Sequence, residues 1–123
     1  MKAAVIVLSD PKGGEEALGR VFNALATTLD FKSRKEDVVL VFQGAGTRWA
    51  GALVKKEHPA HGLYKAVEDK VAGVSNGCAV AFGARGEAEQ GGFALLRDNP
   101  VPGTDGLTSL ARYAAEGYQI ITF

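Results

Sequence analysis

Apolar residues fall into two kinds of run along this chain, continuous and three-to-four spaced, and the two kinds alternate. Lys2 to Leu8 is an unbroken apolar stretch rich in valine and isoleucine. Such a run predicts a strand covered on both faces. Ser9-Asp-Pro-Lys-Gly-Gly14 interrupts it. From Glu15 the period changes, and Leu18, Val21, Phe22, Leu25 and Leu29 predict one apolar helix face. Val38 to Phe42 is a second strand-like run, ended by Gln43-Gly-Ala-Gly46. Thr47 is placed to cap a helix whose inner face carries Ala50, Leu53 and Val54.

Pro59 marks a boundary, after which Leu63, Val67 and Val71 line another helix face that stops near Gly73. A short strand around Val74 leads into a helix that starts near Cys78, and Gly83 and Gly86 keep that helix short or broken. Phe93 to Leu96 reads as a fourth strand and Asn99-Pro-Val-Pro-Gly103 as an irregular loop. Leu107, Leu110, Ala111 and Ala114 predict the buried stripe of the last helix. Gly117 suits its left-handed C-terminal position, and Tyr118 to Phe123 forms the last strand. Strands alternating with helices imply a parallel sheet with helices on both faces, in one α/β domain over residues 1–123.

In such a sheet the carboxyl ends of parallel strands share one edge, and ligands bind beyond it. Four connections should meet there: Ser9 to Gly14, Gln43 to Arg48, Asn76 to Cys78, and Arg97 to Thr104. Composition narrows what they do. Fourteen basic residues balance fourteen acidic ones, and no basic stripe of the kind that binds nucleic acid is present. The densest basic cluster, Lys32 to Asp37, is half neutralised by its own acids. No apolar stretch approaches the ~20 residues needed to span a bilayer. One cysteine and no export signal point to the cytoplasm, where a thiol stays reduced.

That cysteine, Cys78, stands at the strand-to-helix junction Gly73-Val-Ser-Asn-Gly-Cys-Ala-Val-Ala-Phe-Gly83. A thiol in a first helical turn faces unpaired N–H groups and the positive end of the helix dipole, which favours the nucleophilic thiolate. The competing reading is a small buried hydrophobe. Asn76 and Gly77 beside it give a bulky partner room and an amide to bond. Gly44, Gly46, Thr47 and Arg48 form a glycine-rich approach to a helix that suits a small anion or nucleotide; the competing and commoner case is that both glycines simply make the turn. The dinucleotide fingerprint fails there, because the third glycine is late and no acid follows for a ribose. His58 and His61 fall short of a metal ligand set, and no Gly-x-Ser-x-Gly elbow frames a serine nucleophile. No metal or organic cofactor is implied.

The chain resembles the DsrE/DsrF-like sulfur-relay proteins, the DsrEFH-like fold. Four segments carry the resemblance: Met1-Lys-Ala-Ala-Val-Ile-Val-Leu8, Val39-Leu-Val-Phe-Gln-Gly-Ala-Gly46, Val71 to Gly83, and Ser109 to Phe123. It implies a three-layer α/β/α sandwich with a five-stranded, mainly parallel sheet, assembled into trimers or hexamers. It also implies that Cys78 accepts sulfur as a persulfide from a donor protein and passes it to an acceptor. The alternative is a non-catalytic oligomeric module that binds a small molecule, anion or nucleotide.

Overall fold

The computed structural model describes residues 1–123. Five strands form one sheet: β1 (Lys2–Val7), β2 (Asp37–Phe42), β3 (Val71–Ser75), β4 (Leu95–Leu96) and β5 (Gln119–Thr122). Their order across the sheet is β4-β3-β2-β1-β5, and every pairing is parallel. Helices cover both faces, so the α/β/α sandwich holds, though unevenly. Helices α1 (Gly14–Ser33), α2 (Trp49–Leu53), α3 (His61–Val67), α4 (Asn76–Ala81) and α5 (Arg85–Gln90) lie within or beside one large core cluster. The opposite face is covered around a small cluster of Ala4, Ile6, Val41 and Tyr113, the last from α6 (Leu110–Ala115).

Strand alternation explains that division. Ala3, Val5 and Val7 point to the large cluster while Ala4 and Ile6 point to the small one, and all five are fully buried. With both faces covered, β1 needs apolar residues at every position from Ala3 to Val7.

Several expectations are corrected. Phe22 does not belong to the buried face of α1, which instead carries Ala17, Val21, Ala24, Leu25 and Thr28; Phe22 is exposed. Val54 lies just past α2 and is also exposed. The last helix buries Tyr113, whereas Ala111 and Ala114 face outward. Leu107 belongs to an irregular strap, 97–109, where it pairs with Asn99 in an isolated antiparallel bridge. Phe93 is a core residue ahead of β4, set edge-on against Phe42 and stacked with Tyr64. Thr47 caps no helix: it sits in a 3-10 turn (Gly44–Arg48) ahead of α2 and donates its hydroxyl to Gly44 O at 2.8 Å. Gly83, at φ 68°, separates α4 from α5, and Gly117, at φ 90°, separates α6 from β5.

Candidate functional site at the carboxyl edge of the sheet

The four connections meet at one edge. Trp49 Nε1 donates to Ser9 O at 2.8 Å, which ties the start of α2 to the segment after β1. Arg48 Nη1 donates to Asp10 Oδ2 at 2.8 Å, Arg48 Nε to Phe82 O at 3.1 Å, and its guanidinium lies 5.3 Å from the Phe82 ring centre. One side chain thus links the segments after β1 and β2 to the end of α4. Its charge is matched by Asp10. Gly46 packs so closely over Val7 O that a Cβ there would overlap the carbonyl. Thr47 is fully buried, and Gly44, at φ 60°, turns the chain beside Leu8. The glycine-rich segment packs against α4, so the two sequence-predicted groups of site residues are neighbours.

Asn76, Gly77 and Cys78 are the first three residues of α4. The strap folds over this end. Gly77 N–H donates to Gly106 O at 2.8 Å, Asn76 Nδ2 donates to Asp105 O at 3.3 Å, and Thr108 N–H donates to Ser75 Oγ at 3.1 Å. A Cβ on Gly77 would lie 2.6 Å from Leu107 Cδ1. The space that this glycine leaves is therefore filled by the strap, and Asn76 is fully buried beneath it. Cys78 is a free thiol and is partly exposed. Outside it, Val80 is 49% and Phe82 39% exposed, and on the segment after β1 Leu8 is 46% exposed. A depression of about 400 Å³ between α4 and the strap is lined by Gly77, Val80, Ala81, Gly103, Thr104 and Asp105.

One signal lay beyond sequence reasoning. Ser9 Oγ, Gln43 Oε1, Asn76 Oδ1 and Thr108 Oγ1 are buried without a hydrogen-bond partner in the protein. Ser9, Gln43 and Asn76 follow directly or nearly so on β1, β2 and β3, and Thr108 is bonded to the last residue of β3. Native proteins leave few such groups, and each asks for an explanation. Nothing in the local sequence of these residues marks them, since the lack of a partner is a property of tertiary packing.

The histidines are set elsewhere. His58 Nδ1 accepts the Ala60 N–H at 3.0 Å, and His61 Nδ1 donates to Leu53 O at 2.7 Å. No group of three His, Cys, Asp or Glu side chains comes together, and no helix is long and apolar enough to cross a membrane.

Known proteins agree with this architecture. An uncharacterized protein of Methanocaldococcus jannaschii is 26% identical over 121 residues, covering 98% of this chain and 94% of its own. A solved structure of a conserved protein of unknown function from Bacteroides thetaiotaomicron superposes with a TM-score of 0.61 at 17% identity, covering 98% of this chain and 94% of that one. The model of the DsrE/DsrF-like family matches residues 1–123 without a break. From β1 to β5, then, the whole α/β/α domain belongs to the DsrE/DsrF-like family.

Proposed function

We propose that this protein is a cytoplasmic sulfur carrier that holds one sulfur atom as a persulfide on Cys78. The observation that carries the reading is the position of the thiol. It stands in the first turn of α4, directly after β3, partly exposed at the carboxyl edge of the sheet. Membership of the DsrE/DsrF-like family supports it. So do the exposed Val80 and Phe82, which offer apolar surface on which a partner protein docks.

The chemistry needs no cofactor. The Cys78 thiolate attacks the outer sulfur of a donor persulfide. A new S–S bond forms at Cys78, the donor's S–S bond breaks, and the donor leaves as a thiolate. The transferred sulfur keeps its own proton or gives it to water. A thiolate on the acceptor then attacks that outer sulfur and regenerates the Cys78 thiolate. No net oxidation or reduction occurs. A lone thiol suits this task, because the chain holds no second cysteine to close a disulfide and expel the sulfur.

The test is persulfide loading followed by intact mass. Wild-type protein treated with a persulfide donor should gain the mass of one sulfur atom, and Cys78→Ser should gain none. Native mass of the same sample should show three or six copies. Equal sulfur uptake by both proteins, or uptake by neither, refutes the carrier reading.

A further inference from the structure

A larger hollow than the one beside α4 lies away from Cys78 and the strap. It measures about 460 Å³ and lies between the end of α2, the length of α3 and α5. Val54 is the only aliphatic side chain in its wall; the others include Lys55, His61, Tyr64, Lys65, Glu87 and Gln90.

Two of these groups, Tyr64 and His61, have unused bonding capacity. Tyr64 is 5% exposed, its ring stacked with Phe93, yet its hydroxyl has no hydrogen-bond partner in the protein. Because that oxygen is not among the sealed polar atoms, the small exposed part of Tyr64 includes it. Burial, and then the carboxylate of Glu68, push the phenol up to about 12, so it stays a donor at neutral pH. His61 spends its Nδ1 proton on the Leu53 carbonyl, and its Nε2 has no partner in the protein.

Charge completes the pattern. Lys65 is paired with Glu68 at 2.6 Å. Lys55 and Glu87 have no ion-pair partner within 4.0 Å. A Glu87 oxygen lies over Gly51 in α2, so close that a Cβ there would overlap it. Lys55, Gly51 and Glu87 also wall the adjoining hollow beside Arg48 and Phe82, so both free charges border both hollows. The first hollow thus offers two ammonium groups and two carboxylates, with one of each already satisfied. A strongly anionic or cationic ligand meets as much repulsion as attraction here. A molecule bearing one charge of each sign meets a partner for both.

We propose that this hollow is a binding site for a small zwitterion of the α-amino-acid type. Lys55 meets the carboxylate, Glu87 meets the ammonium group, and the Tyr64 hydroxyl donates to the ligand from the floor. The site is separate from Cys78, and its success or failure is independent of sulfur transfer.

The experiment is a thermal-shift screen of the full chain against the common amino acids, followed by calorimetric titration of the best one. Inorganic phosphate, and the N-acetyl and carboxamide forms of that amino acid, serve as comparison probes. At least one free amino acid should raise the melting temperature by mass action, whereas phosphate and both blocked forms should not. Lys55→Met and Glu87→Gln should each weaken binding about tenfold or more, the loss of one charge-assisted contact. Tyr64→Phe should keep the fold, because the ring stays and its hydroxyl bonds nothing in the protein, yet weaken binding several-fold. Cys78→Ser should bind as the wild type does. The assignment falls if no amino acid binds, if phosphate or a blocked form binds as well, if the three pocket variants bind normally, or if Cys78→Ser loses binding.

Discussion

Gly77→Ala, compared with Gly19→Ala, tests whether the strap truly clamps the start of α4. The chemistry is the same at both positions, yet the signs should differ. Gly19 lies in α1 with nothing within 4 Å of an added Cβ. Alanine there gains helix propensity, about 1 kcal/mol. At Gly77 the added carbon meets Leu107 Cδ1 at 2.6 Å, Gly106 O at 3.1 Å and Thr104 Cβ at 3.3 Å. The Leu107 methyl can swing aside, but its backbone is held in two bonds with Asn99, at 2.8 and 2.9 Å. The Gly106 carbonyl cannot retreat without stretching the 2.8 Å bond that it accepts from Gly77 itself. Overpacking costs about 1–3 kcal/mol. A strained or broken bond to the strap adds about 1 kcal/mol, and the gain in helix propensity offsets at most a similar amount. The net cost is about 1–3 kcal/mol. With an unfolding entropy near 2.1 cal/mol/K per residue over 123 residues, 1 kcal/mol is about 4 °C. Thermal unfolding followed by circular dichroism should therefore place Gly77→Ala about 4–12 °C below wild type and Gly19→Ala about 4 °C above it. Hydrogen exchange at Asn99 and Leu107 should quicken only in Gly77→Ala. Shifts of the same sign in both variants, or unchanged exchange in the strap, would refute the clamp.

Two further perturbations probe the surroundings. Burial, and then the neighbouring His61, hold the His58 ring below its ordinary value. The folded form therefore binds that proton more weakly than the unfolded chain does. The stability this contributes is full above the unfolded value of about 6.5 and is lost as pH falls through it and then through the lower folded value. His58→Asn keeps an acceptor for the Ala60 N–H and does not titrate. Its urea midpoint should vary less than that of wild type below about pH 6.5, and identical profiles would remove His58 from the account. Thr108→Val keeps the side-chain volume and the backbone bond to Ser75 Oγ while deleting a buried hydroxyl that has no partner. It should raise stability by about 1 kcal/mol, read as a higher urea midpoint at constant slope. A lower midpoint would mean that the hydroxyl is satisfied in solution.

Much of the frame is legible along the chain because continuous runs and helical spacing are local properties. Lys2 to Leu8 and Val38 to Phe42 announce buried strands, and Gly83 and Gly117 announce breaks. Where local pattern and tertiary contact compete, tertiary contact prevails. Phe22 has the helical spacing of a core residue, yet the turn of α1 carries it outward, while the smaller Ala24 and Thr28 occupy the face against the sheet. Ala111 and Ala114 match a stripe, but it is Tyr113, with the partly buried Leu110, that anchors α6 over the small face. The strap is a run of prolines, glycines and polar residues with no period, and its attachment to Ser75, Asn76 and Gly77 is wholly long-range. The position of Cys78 was readable because strand and helix follow one another directly there. The hollow around Tyr64 was not, since Gly51, Tyr64 and Glu87 meet only after α2, α3 and α5 have packed.

The unevenness of polar satisfaction bears on where selection has acted. The interior of α1 wastes nothing: Thr28, fully buried, donates its hydroxyl to Ala24 O at 2.8 Å. The buried side-chain oxygens without partners all lie on or beside the carboxyl ends of β1, β2 and β3. Left dry, each would cost about 1–3 kcal/mol, against a net stability of about 5–15 kcal/mol for a typical domain. Valine in place of Thr108 would remove one such cost without changing the shape of the core. Packing alone therefore gives no reason to keep a hydroxyl there, whereas Asn76 also serves the fold through the bond that it donates to Asp105 O of the strap. Locally unfavourable choices gathered in one place are what a working surface leaves behind when it is held against the demands of stability. That edge is also where β3 hands the chain to α4 and its thiol, which places these groups beside the sulfur chemistry that we propose for Cys78.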